Sequence, residues 1–146
     1  MDNQEVLLLQ MEELLVPVVK GLISDLYELK DFGITGSQFH LLNKIQKEKV
    51  SNVKRLAEEL DVKSSAITVM VERLVQHGLV SRVQDEKDRR AVLVTLTDDG
   101  EYVLKKAKAY SKDILMKYAS LLDEEEQALI HRVLKKFADY QSACKK

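Results

Sequence analysis

Apolar positions outline the chain before anything else does. Between residues 6 and 29, Val6, Leu7, Leu14, Leu15, Val18, Val19, Leu22, Ile23, Leu26 and Leu29 recur at helical spacing and predict one long helix. Its apolar stripe is wider than a single small core needs, which points to a partner helix. Pro17 has no amide hydrogen to donate, so a kink is expected near the preceding turn. Phe32-Gly33-Ile34 reads as the end of this helix. Thr35 and Gln38 then stand at capping-box spacing and open a second helix, carrying Phe39, Leu41, Leu42 and Ile45 and ending near Lys47.

Two short helices follow with one shared spacing. Val53, Leu56, Ala57 and Leu60 lie at i, i+3, i+4 and i+7 after Ser51 or Asn52 as cap. Ile67, Met70, Val71 and Leu74 repeat the pattern, and Gly78 supplies a left-handed position beyond the helix end. Only Asp61-Val62-Lys63 separates them, so they must cross steeply as a helix-turn-helix. Asp61 is a residue that tolerates the left-handed turn conformation. The period then changes from 3.6 to 2. Residues 79–84 and 91–96 are β-rich runs flanking Asp85-Glu86-Lys87-Asp88-Arg89-Arg90, which predicts a hairpin with a charged, projecting tip. Thr97 caps another helix, with Asp98 and Asp99 near its positive end, running to about Leu122. Asp123 and Glu126 open a last helix bearing Leu129, Ile130, Val133, Leu134 and Phe137. The expected fold class is mainly α with a small β-hairpin (α+β).

Composition narrows the function classes. The chain has 146 residues, 45% hydrophobic and 32% charged, ordinary values for one globular domain. Its single cysteine excludes an intramolecular disulfide framework, and no Cys/His cluster has structural-zinc spacing, so no metal or other cofactor is expected. The apolar start follows Asp2 and Glu5, the wrong sign for a secretory leader. It is then broken by Gln10, Glu12, Glu13 and Lys20, so no membrane span is expected and the setting reads as cytoplasmic. A formal net charge of −1 argues at first sight against nucleic acid. The distribution changes that inference. The first 30 residues hold six acids and two lysines, whereas residues 63–90 hold six bases and four acids. An acidic end and a modestly basic middle average to near zero.

Catalysis finds no support. His40, His77 and His131 fall on three different helices, and Glu58-Glu59 and Glu124-Glu125 are adjacent pairs whose side chains diverge by about 100° on a helix. No phosphate-cradling glycine loop or nucleophile elbow is present. The helix-turn-helix says more. Its second helix turns Ser64, Ser65, Thr68, Val69, Glu72 and Arg73 away from the apolar face, and hydroxyls, a Thr methyl or a Val can meet phosphates or base edges in a major groove. A small polar surface helix would look the same. The hairpin tip adds Asp88, Arg89 and Arg90. An arginine on a projecting loop suits a narrow, negative minor groove, with Asp88 able to orient one guanidinium through a salt bridge. A solvated turn would explain the charge but not the neighbouring helix-turn-helix.

Leu56-Ala57-Glu58-Glu59-Leu60, Ser65-Ala66-Ile67-Thr68, Leu74 with Gly78-Leu79-Val80 and Arg82, and Asp88-x-Arg90 leading to Leu96-Thr97 and Gly100 together resemble the MarR family of winged-helix transcription regulators. The resemblance implies a winged helix-turn-helix over residues 35–100, flanked by dimerisation helices in residues 1–34 and 101–146. It implies a homodimeric, ligand-responsive repressor on a pseudo-palindromic double-stranded DNA operator. The recognition helix maps onto residues 64–77, and the minor-groove arginine onto Arg90, oriented by Asp88. Two positions depart from the pattern. Lys63 stands where a Ser or Thr cap is frequent, and Val69 stands where a basic or long polar residue is common, which shifts base readout toward Ser65 and Thr68. Family members often release DNA on binding a small aromatic effector. Here Tyr27, Phe39, His40 and Tyr102 are the candidate lining residues, with plain core packing as the alternative. A peroxide-sensing branch uses a cysteine near the N-terminal helix, whereas Cys144 lies beside Lys145 and Lys146 at the other end and reads as an inert thiol. The competing function is a winged-helix protein-interaction module that never touches DNA. Such a surface would carry exposed apolar anchors, and the outward helix face offers only Val69.

Overall fold

Six helices and a three-stranded antiparallel sheet make up residues 2–145, the part that the computed structural model describes. They are α1 (Asn3–Leu26), α2 (Gly36–Glu48), β1 (Ser51–Asn52), α3 (Val53–Glu59), α4 (Ser64–Gln76), β2 (Val80–Gln84), β3 (Val92–Leu96), α5 (Asp98–Ala119) and α6 (Glu124–Cys144), with a 3-10 turn at Lys30–Phe32. Two compact units meet inside α5, one ending at Ser111 and the other beginning at Lys112.

Local side-chain caps decide where several helices start. Asp2 and Glu5 form a capping box, so α1 begins before the apolar pattern does. Thr35 and Gln38 do the same for α2, as their spacing predicts. α1 runs through Pro17 but stops at Leu26, short of the Phe32-Gly33-Ile34 end expected from periodicity. Leu29 and Ile34 are apolar because they enter the core from the turn that follows, which Gly33 closes at a φ of 71°. Tyr110 Oη and Ser111 Oγ on α5 donate to the carbonyls of Asp25 and Leu26, binding the end of α1.

The core of the first unit draws on α2, α3, α4, α5 and the two hairpin strands. Leu41, Leu42 and Ile45 of α2, Leu56 of α3, Ile67 and Leu74 of α4, Val94 of β3 and Leu104 of α5 have no exposed surface. The sheet order is β1-β3-β2. β2 and β3 form the expected hairpin, in register from Val80 opposite Leu96 to Gln84 opposite Val92. β1, too short to show an alternating pattern, adds two residues on the other edge of β3, Ser51 opposite Val94 and Asn52 opposite Leu93. Thr97 then locks α5 to the base of the hairpin. Its hydroxyl donates to Gly78 O at 2.6 Å and accepts the Gly100 N–H, while its own N–H donates to Leu79 O.

Two α-helices contribute no fully buried side chain. α1 and α6 have no buried residue, and Leu14 is 67% exposed. In the second unit, Asp123 and Glu126 form the predicted capping box, and Gln127 donates to the carbonyls of Ala119 and Leu122 across the turn. Leu134, Phe137 and Tyr140 of α6 lie exposed.

Candidate nucleic-acid interface

α3 and α4 are held at a fixed angle by their caps and the turn between them. Asn52 Oδ1 accepts the N–H groups of Lys54 and Arg55, starting α3. Asp61 takes the left-handed conformation at a φ of 53°, and Val62 N–H donates to Ala57 O. Lys63 caps α4 through its backbone alone, with no side-chain hydrogen bond. From the other side, Lys44 Nζ of α2 lies 2.7 Å from one Glu59 oxygen and pins α3 to α2, while Arg55 Nε, within α3, lies 2.7 Å from the other oxygen. Hydrogen bonds from these two cations, Lys44 first, hold the Glu59 carboxyl down at about 2.

With Ile67, Val71 and Leu74 turned into the core, α4 exposes Ser64, Ser65, Thr68, Val69, Glu72 and Arg73. These fall into two rows at four-residue intervals. The row Ser64, Thr68, Glu72 faces the hairpin. Ser64 and Thr68 line a concavity with Asn52, Val53 and Lys54 and with Asp88, Arg90, Ala91 and Val92, while Glu72 Oε1 lies 3.3 Å from a guanidinium nitrogen of Arg82 on β2. The Thr68 hydroxyl donates to Ser64 O at 2.9 Å. Ser65, Val69 and Arg73 form the second row, away from the concavity.

At the hairpin tip, Asp85 Oδ1 accepts the Lys87 N–H and Asp88 Oδ1 accepts the Arg90 N–H at 3.0 Å. Asp88 therefore shapes the turn through the main chain, not through the Arg90 guanidinium as the sequence suggested. A carboxylate two residues before an amide is well placed for such an Asx turn, and the bond leaves the exposed guanidinium available. Arg90 opens into the concavity; Arg89 is exposed outside it. Asn52, Lys54 and Arg82 belong to this surface and were missing from the sequence-derived site. The Asn52 cap was the available signal for the first two, since it marks where the first helix of the motif presents its N-terminus.

The four aromatic candidates do not converge. Tyr27, Phe39 and His40 pack with ring centroids 4.9–5.9 Å apart, filling the space between them, and Tyr27 also rests on Gly36. Tyr102 stands apart on α5, 61% exposed, with Lys106 Nζ 5.5 Å from its ring centre. Side chains three and four residues apart on one helix meet each other sooner than they meet another element. Cys144 is exposed, and of its two lysine neighbours Lys146 lies outside the described residues. Among the described residues, no helix is long and apolar enough to cross a membrane.

Residues 34–92, which include every residue lining the concavity, match the MarR family. The transcriptional repressor MdtR of Bacillus subtilis is 36% identical over 106 residues, covering 73% of this chain and 68% of that protein. The chain belongs to the MarR family. Among solved structures, YusO of Bacillus subtilis superposes with a TM-score of 0.80 at 29% identity, over 94% of this chain and 99% of that one. A cysteine-to-serine mutant of Escherichia coli MarR, solved in complex with operator DNA, gives 0.75 at 28% identity over the same shares. In this MarR-family chain α4 is accordingly the second helix of a winged helix-turn-helix, and the β2–β3 hairpin is its wing.

Proposed function

We propose that this protein is a sequence-specific, double-stranded-DNA-binding transcriptional regulator, a homodimeric repressor on a pseudo-palindromic operator in the cytoplasm. The observation that carries this is the shared concavity, where hydroxyls of α4 and the wing guanidinium of Arg90 open toward one ligand. α4 fits a major groove, with Ser65, Val69 and Arg73 toward base edges and Ser64 and Thr68 toward the flanking backbone. Arg90, with Arg89 beside it, fits the adjacent minor groove, whose narrowness concentrates negative potential. Asn52 and Lys54 stand where the sugar-phosphate strand between the grooves would pass. The E. coli relative solved on operator DNA supports the same use of this fold.

The apolar side chains exposed along α1, and separately along α6, need cover, and a second copy of the chain supplies it. On this reading residues 35–100 read DNA while residues 1–34 and 101–146 dimerise. The test is fluorescence anisotropy on DNA upstream of its own gene at two salt concentrations. Phosphate neutralisation predicts a steep loss of affinity with salt, and a flat response refutes DNA binding. Arg90→Ala should weaken operator binding by about 1–3 kcal/mol; unchanged affinity removes Arg90 from the interface.

A further inference from the structure

We propose that Glu72 and Arg82 form a latch that sets the wing at its angle to α4, so that both are positioning residues for DNA binding. The inference rests on the DNA-binding function above. Glu72 sits on the exposed face of the recognition helix, an unfavourable place for a carboxylate beside phosphates. Arg82, ten residues on, answers it from the middle of β2, its guanidinium 3.3 Å from Glu72 Oε1. The hairpin beyond that point carries its own turn bonds at Asp85 and Asp88 and ends in Arg90. A pivot at Arg82 therefore translates directly into where Arg90 lies relative to Ser64 and Thr68.

Both side chains are 53% exposed, so the pair contributes little to folding. Its effect belongs in the geometry of the bound surface. The pair also occupies Glu72, so the row that contains it offers DNA no free carboxylate. Sequence discrimination then falls on the other row, Ser65, Val69 and Arg73.

Equilibrium binding to the operator in a double-mutant cycle tests this. Arg82→Gln should weaken operator binding about threefold to fivefold, the range set by an exposed ion pair, and leave the melting temperature within about 2 °C. In that background Arg90→Ala should lose less affinity than it does in the wild type, because the wing has already left its register. The charge swap, Glu72→Arg with Arg82→Glu, should return to within about twofold of wild type, while Arg82→Glu alone binds far more weakly. An equal Arg90→Ala loss in both backgrounds overturns the latch. So does a swap that binds no better than Arg82→Glu. Wild-type protein that shows no salt-dependent DNA binding would instead defeat the function on which the latch rests.

Discussion

Gly100→Ala puts a methyl group where the fold has no room. A Cβ on Gly100 would lie 2.0 Å from the carbonyl oxygen of Leu79 and 2.9 Å from its carbon. That is roughly 1 Å or more inside ordinary contact. Neither side can yield cheaply, because both are backbone and Leu79 O already accepts the Thr97 N–H at 3.1 Å. Overpacking of this kind costs about 1–3 kcal/mol, and a rigid backbone neighbour belongs at the upper end. Alanine recovers about 0.5–1 kcal/mol through its better helix propensity. The net expectation is a loss of about 2 kcal/mol, or roughly 6–8 °C in melting temperature for a chain of this size. Thermal unfolding followed by circular dichroism at fixed protomer concentration measures it, since dimerisation makes the midpoint concentration-dependent. Operator affinity should fall too, because the clash pushes α5 off the base of the wing. A melting temperature equal to or above wild type would refute the close approach and with it this account of how α5 is seated.

Other perturbations probe separate joints. Asn52→Ala removes the acceptor for the Lys54 and Arg55 amides and should cost about 1 kcal/mol, read as a lower urea midpoint at unchanged slope. The Glu59 carboxyl sits at about 2 when folded, below its unfolded value of about 4.3, so its contribution is complete above that value and lost as pH falls toward 2. Glu59→Gln should therefore flatten the pH dependence of stability between those two values; parallel curves for mutant and wild type would show that the Lys44–Arg55–Glu59 cluster is energetically idle. Leu14→Glu charges an exposed apolar position on α1 and should shift the protein from dimer to monomer in sedimentation equilibrium while leaving its helical signal intact. Asp88→Ala frees the Arg90 amide and should weaken operator binding without lowering the melting temperature, because the lost bond shapes only the wing turn.

What the sequence determined by itself was whatever closes within a few residues. The capping boxes at Thr35 and Asp123, the left-handed Asp61 and Gly78, the Thr97 start of α5 and the alternation of the hairpin strands all depend on near neighbours, and each stands where its residues place it. The Asp2–Glu5 box obeys the same rule and was legible too, though the apolar pattern drew the start of α1 a few residues late. The outward face of α4 followed from periodicity because Ile67, Val71 and Leu74 leave only one side outward.

Tertiary structure decided what depends on partners far along the chain. β1 is a strand only because Ser51 and Asn52 meet Val94 and Leu93, and Thr95 Oγ1 donates to Lys49 O over 46 residues of separation. Leu29 is apolar for the core of the first unit, not for a longer α1. Tyr102 shares an aromatic character with Tyr27 but not a location. The division of α4 into a row that faces the wing and a row turned away from it appears only when Arg82 and Arg90 are folded against it. Periodicity reports which side of a helix avoids water; it carries no record of which neighbour stands on the other side.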